Sequence, residues 1–202
     1  PSKFRGAPFW AWNCKLDKEL MTREVDYFKE MGLGGFHMHC RTGMDTPYLS
    51  DEFMEIVRAV VQKAEKENML AWLYDEDRWP SGFAGGLVTK DEQYRSRYLV
   101  FTPVNQDTRH DNSQILTSGM STMSSGHGTL LARFDVKLED GFLKGYRRLK
   151  DGEDGENVWY AYMEISLPSP WWNNYTYLDT LNPKAVERFV EVTHERYKEA
   201  VG

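Results

Sequence analysis

The sequence predicts an α/β fold: a partial (β/α)8 (TIM) barrel of about three βα units, with an antiparallel β subdomain inserted after the third strand. Three observations predict it. Strand-like and helix-like stretches alternate at intervals of roughly 25–35 residues along the first part of the chain, the rhythm of βαβ units with right-handed crossovers and parallel strands. Each predicted strand ends in polar or aromatic residues, and parallel sheets and barrels gather their functional groups at those ends. Near residue 97 the alternation gives way to strand-like runs joined by turn-forming residues, which reads as antiparallel structure.

Pro8-Phe9-Trp10-Ala11-Trp12-Asn13 is a short aromatic run that predicts the first strand, with polar Asn13 at its end. A helix follows, capped by Asp17, in which Leu16, Leu20, Val25, Phe28 and Met31 recur near helical spacing before Gly32 ends the pattern. Gly34-Gly35-Phe36-His37-Met38-His39-Cys40 predicts the second strand, ending in Arg41-Thr42-Gly43, and side-chain alternation puts His37 and His39 on one face. Ser50 then caps a second helix, with Asp51 and Glu52 in the first turn where the helix dipole favours negative charge. Phe53, Ile56, Val57, Val60, Val61 and Ala64 form its apolar stripe, and Asn68 stops it. The run 69–74 predicts the third strand.

Tyr98-Leu99-Val100-Phe101 is again strand-like, but 105–128 is rich in Ser, Thr, Gly, Asn and Asp and predicts a flexible loop. Leu130 to Val136, Phe142 to Leu149 and Val158 to Ile165 predict three more strands, joined by Glu139-Asp140-Gly141 and Asp151-Gly152-Glu153-Asp154-Gly155. After Pro168-Ser169-Pro170-Trp171-Trp172, Asn182 caps a last helix with Pro183 at its first position and Val186, Phe189, Val190, Tyr197 and Val201 along one side. The expected division is therefore 1–96 for the first three βα units, 97–167 for the inserted subdomain, and 168–202 for a return segment and closing helix. A complete barrel needs about 250 residues, so the barrel portion here is read as an opening segment.

At 202 residues and 41% hydrophobic content the chain is long and apolar enough for a globular core. With 25 basic against 31 acidic residues it carries a net charge of −6 and shows no basic stripe, which argues against a nucleic-acid partner. No apolar run approaches the roughly 20 residues that cross a bilayer, so no membrane partner is expected. Cys14 and Cys40 stand in no metal-ligand or disulfide-framework spacing. The aromatic share of 14%, with seven Trp, points elsewhere: flat rings with polar edges match the C–H faces of sugars, which makes a carbohydrate the expected partner.

The third predicted strand runs into Tyr74-Asp75-Glu76-Asp77-Arg78-Trp79-Pro80-Ser81-Gly82-Phe83-Ala84-Gly85-Gly86. Three carboxylates together are costly unless cations, protons or a polar ligand share their charge, so this cluster marks a site. Asp75, Glu76 and Asp77 are the catalytic candidates. If the strand persists, alternation puts Asp75 and Asp77 on one face and Glu76 on the other, and the reading favours Asp75 and Asp77 with Arg78. Trp10, Trp12, Trp79 and Trp171 are read as sugar-stacking rings, Arg41 and Arg78 as donors to hydroxyls, His37 and His39 as orienting groups, and Asn13 as a polar contact at the mouth. The competing reading is a solvated acidic turn with Arg78 paired to a neighbour.

Phe9-Trp10-Ala11-Trp12-Asn13, Glu30-Met31-Gly32-Leu33-Gly34-Gly35-Phe36, the run from Tyr74 to Gly86, and Tyr177-Leu178-Asp179-Thr180-Leu181-Asn182-Pro183 together resemble the N-terminal part of the catalytic barrel of bacterial glycoside hydrolases similar to family 106, the α-L-rhamnosidases. Trp79-Pro80-Ser81-Gly82-Phe83-Ala84-Gly85-Gly86 is the most specific part. The resemblance implies a (β/α)8 barrel, a carbohydrate substrate, hydrolysis by two carboxylic acids, and room for bound calcium. It also implies that one acid of the pair follows Gly202, so this chain alone is expected to be inactive.

Two other readings stand beside it. His37-x-His39 at a strand end can hold zinc in a metal-dependent hydrolase, although no other histidine is well placed, His110 and His127 falling in the expected loop and His194 on the last helix. The chain can also be a non-catalytic carbohydrate-binding or structural fragment. Either way, an open parallel sheet leaves free edges and an uncovered face, so self-association, or pairing with a missing part of the barrel, is expected.

Overall fold

The computed structural model describes residues 1–78, 81–108, 115–117 and 122–202, without the side chains of 115–117, 122–124 and Trp171. It divides into two units, Pro1–Lys90 with Thr180–Gly202, and Asp91–Asp179.

The first unit is built on a parallel sheet of three strands, β1 (Phe9–Trp12), β2 (Gly35–Cys40) and β3 (Leu70–Trp72), in that spatial order. Helix α1 (Lys18–Glu30) starts where the Asp17 carboxylate accepts from the Leu20 N–H at 2.7 Å. Helix α2 (Asp51–Lys66) starts where the Ser50 hydroxyl accepts from the Phe53 N–H at 3.2 Å. Both helices stop where the next residues turn left-handed, Gly32 at φ 79° and Asn68 at φ 54°. Met21 and Val25 of α1 and six residues of α2 are buried. Trp10, Trp12, Phe36, Met38 and Cys40 fill the core on the same side.

The helices cover that face alone. On the other, Phe9 is 67% exposed and Trp72 38%. At the start of β2, a Cβ on Gly35 would lie 2.1 Å from the Leu70 carbonyl oxygen, so only glycine lets β3 pair there. The predicted third strand shortens to three residues: its pairing with β2 covers Leu70, Ala71 and Trp72 and stops there.

The last helix is two helices. Helix α3 (Pro183–Val192) begins at the Asn182 cap and breaks at buried Thr193, whose hydroxyl bonds back to the Phe189 carbonyl and bends the chain. Helix α4 (His194–Val201) packs on α2, held by Arg58 Nε donating to the Ala200 carbonyl at 3.0 Å and Tyr197 Oη donating to the Tyr74 carbonyl at 3.1 Å. Arg196 reaches the Leu49 carbonyl and the Asp51 carboxylate.

The second unit holds β4 (Arg97–Thr102), β5 (Ile115–Thr117), β6 (Thr122–Ser124), β7 (Thr129–Glu139), β8 (Phe142–Leu149) and β9 (Val158–Ile165). Four of them make an antiparallel sheet in the order β4-β9-β7-β8, and β5 pairs with β6. Asp140 and Gly141, at φ 52° and 80°, form the tight turn between β7 and β8. The unit closes on itself: Ser96 N–H donates to the Tyr177 carbonyl at 2.9 Å, and Asp179 N–H to the Tyr94 carbonyl at 2.8 Å. The expected boundaries at 96/97 and 167/168 therefore fall inside it. Of the loop expected over 105–128, residues 109–114 and 118–121 lie outside the described residues, while Gln106 is buried and tied to Glu164.

Glu164, 1% exposed, accepts from Tyr98 Oη at 2.9 Å, Gln106 Nε2 at 2.7 Å and Ser125 N–H at 2.9 Å. Gln106 in turn accepts from Gly128 N–H, and its backbone N–H donates to Tyr162 Oη. A buried carboxylate is tolerated when its lone pairs are met in this way.

Candidate functional site

Alternation along β1, β2 and the chain after β3 sorts the candidate residues onto two faces. Trp10 and Trp12 point to the helices. Trp10 is 8% exposed, with its ring 5.1 Å from Phe28 and its indole N–H donating to Glu24; Trp12 is 1% exposed, 5.7 Å from Phe53. The sugar-stacking role expected of them is corrected: their rings are core, because the same pleat that turns Phe9 outward turns its neighbours inward.

The uncovered face carries a row of rings. Phe9, His37 and Trp72 share one rung of the sheet, with His37 5.0 Å from Phe9 and stacked on Trp72 at 4.8 Å. On the next rung His39 lies 4.1 Å from Tyr74 and 5.1 Å from Phe9. Burial pushes the His39 imidazole below its ordinary value, and the charge of Arg41 adds to this. Arg41 itself is exposed. Burial pushes the Tyr74 phenol up, with Glu76 the next cause and Arg41 opposing.

Glu76 belongs with this group. Burial raises its carboxyl above the ordinary value, Asp75 adds to the rise, and the Ser81 hydroxyl opposes it. Asp75 and Asp77 are otherwise engaged. Asp75 Oδ2 sits 2.7 Å from His194 Nε2 on α4, beside an open cavity of ≈ 600 Å³ that Leu73, Tyr197 and Lys198 also line. Asp77 is 2% exposed, and its Oδ2 takes Arg78 Nη2 at 2.9 Å. Of the three candidate carboxyls, Asp75 and Asp77 each have an ion-pair partner and Glu76 has none among the described residues.

Asn13 is exposed beyond β1, and a Cβ on Gly43 would meet its carbonyl oxygen at 2.7 Å, so the turn after β2 folds onto it. Trp79 and the Trp171 side chain lie outside the described residues. Phe9, Trp72 and Tyr74 of this ring row are not among the residues that the sequence singles out, although the i, i+2, i+4 spacing of Trp72, Tyr74 and Glu76 was a readable signal.

Among the described residues no three His, Cys, Asp or Glu side chains are placed to hold a metal ion. His37 and His39 have no third zinc ligand beside them among the described residues. The carboxylates of 75 and 77 are turned to His194 and to Arg78, so with Glu76 they do not converge as a calcium cage would require.

No family model and no curated protein matches the chain. A solved rhamnosidase from Novosphingobium sp. PP1Y is similar over 69% of this chain and 15% of that one, at 14% identity and a TM-score of 0.42. The chain therefore spans about 15% of the length of that protein, and at such identity and score the two need share neither site nor substrate.

Proposed function

We propose that this chain is a segment of a glycoside hydrolase catalytic domain similar to the α-L-rhamnosidases, an opening part of a (β/α)8 barrel whose remaining strands complete the site. Its substrate is a carbohydrate, held against the ring row of Phe9, His37, Trp72 and Tyr74. Glu76 is the carboxyl that serves the reaction, with His39 and Arg41 binding hydroxyls. A single observation carries the reading: at the strand ends of the uncovered face a partly buried glutamic acid, raised toward the protonated form, adjoins a tyrosine and a row of aromatic rings. A carboxyl that holds its proton more tightly than usual suits protonation of a leaving glycosidic oxygen.

Aryl α-L-rhamnoside hydrolysis by this chain and by a longer one tests it. The longer chain is expected to release the phenol and this one not, and Glu76→Gln in the longer chain should lower the rate by about 10²–10⁴-fold. Full activity in the Glu76→Gln variant would remove the assignment, and no release by any longer chain would remove the reading.

A further inference from the structure

The residues that follow β3 face alternately, and their contacts show which way each one turns. Tyr74 stands on the uncovered face, its ring 4.1 Å from His39 and 6.4 Å from Phe9. Asp75 turns the other way, to α4, where its Oδ2 lies 2.7 Å from His194 Nε2. Asp77 is 2% exposed and its charge acts on the buried Cys40 thiol, so it too faces the helix-covered side. With residue 74 outward and residues 75 and 77 inward, an extended chain carries Glu76 outward, to the ring row.

Helix α4 grips this segment twice. His194 and Tyr197, three residues apart, share one side of the helix. The first meets the Asp75 carboxylate, and the second donates its hydroxyl hydrogen to the Tyr74 carbonyl at 3.1 Å. The helix is itself anchored, since it packs on α2 and Arg58 of that helix donates to the Ala200 carbonyl at 3.0 Å. Stability does not account for the His194–Asp75 pair: the two side chains are 52% and 43% exposed, and exposed pairs of this kind contribute little. What the pair decides is direction. The pairing of β3 with β2 stops at Trp72, so the sheet does not hold residues 74–76, and α4 does.

We propose that His194 is a positioning residue for Glu76: by holding Asp75 on the helix side while Tyr197 holds the Tyr74 carbonyl, α4 turns the Glu76 carboxyl to the ring row. His194 acts through Asp75, not on the substrate. Its bearing on catalysis rests on the glycosidase reading; the placement of Glu76 does not.

NMR titration of the Glu76 carboxyl tests it, in this chain and in two variants. His194→Phe keeps a ring beside Phe189 and loses the donor to Asp75; His194→Gln keeps a donor. Glu76 is expected to titrate above 4.5 in the unaltered chain and in His194→Gln, and to fall back toward 4.5 in His194→Phe as the segment frays and the carboxyl loses its burial. Melting midpoints should move by less than about 3 °C in both variants, as loss of an exposed pair allows. A Glu76 titration unmoved in His194→Phe, or moved equally in both variants, overturns the proposal. In a longer chain that hydrolyses aryl α-L-rhamnosides, His194→Phe should lower kcat about 10-fold with KM little changed, and His194→Gln should restore most of it. If no longer chain releases the phenol, the glycosidase reading falls and the Glu76 titration still decides the role of His194.

Discussion

Single residues in this protein take their roles from which side of the pleat they occupy. Trp12 and Trp72 are chemically alike, yet one is sealed under α2 and the other stands on the uncovered face at 38% exposure. Trp12→Ala should destabilise the first unit by about 3–5 kcal/mol in chemical denaturation, while Trp72→Ala should cost clearly less and, on the proposed function, weaken sugar binding instead. The titrating pair on the uncovered face gives opposite pH slopes. Glu76 is raised in the folded state, so the stability it contributes is present below the ordinary carboxyl value of 4.5 and is lost as pH rises through its folded value. His39 is lowered, so its contribution is present above 6.5 and lost as pH falls through its folded value. Melting curves across this window should flatten on the high side of 4.5 in Glu76→Gln and on the low side of 6.5 in His39→Gln. Unchanged pH profiles in both would mean that neither group is perturbed.

At the scale of the elements, local signals were legible wherever the chain itself carries the chemistry. Asp17, Ser50 and Asn182 cap the helices their sequence positions announce, because a side-chain oxygen near a free N–H needs no tertiary help. The length of β3 and the break at Thr193 were not legible. The first depends on pairing with β2, a segment distant in the chain, and the second on a hydroxyl bonding back four residues within an apolar pattern that reads as one continuous helix. The face of Glu76 was half legible: alternation separated it from Asp75 and Asp77, but nothing local revealed that His194, 119 residues further on, would claim Asp75. Gly35 is the sharpest element-level test. Gly35→Ala must push the Leu70 carbonyl away, so β3 should detach from β2, seen as faster amide exchange across Leu70–Trp72. Retained protection there would show that the sheet can spread to admit a methyl group.

The whole molecule is two units joined twice in sequence, and the second begins and ends in paired backbone at Tyr94–Ser96 and Tyr177–Asp179. Residues 91–179, expressed alone, should therefore unfold cooperatively, and loss of the Glu164 network in Glu164→Ala should cost that unit about 3 kcal/mol or more. Each unit also presents an uncovered apolar face, Phe9, Leu70 and Trp72 on one and Leu99, Phe101, Leu143 and Tyr146 on the other. Faces of this kind drive association, so light scattering should show mass rising with protein concentration; a constant monomer mass would count against it. The decisive question is whether the ring row with Glu76 meets a sugar. NMR titration of this chain with L-rhamnose answers it: saturable shifts at Trp72, His39 and Glu76, with Trp12 unmoved, are the predicted result. No shift at those three residues at any sugar concentration, or shifts confined to other surfaces, would contradict the account.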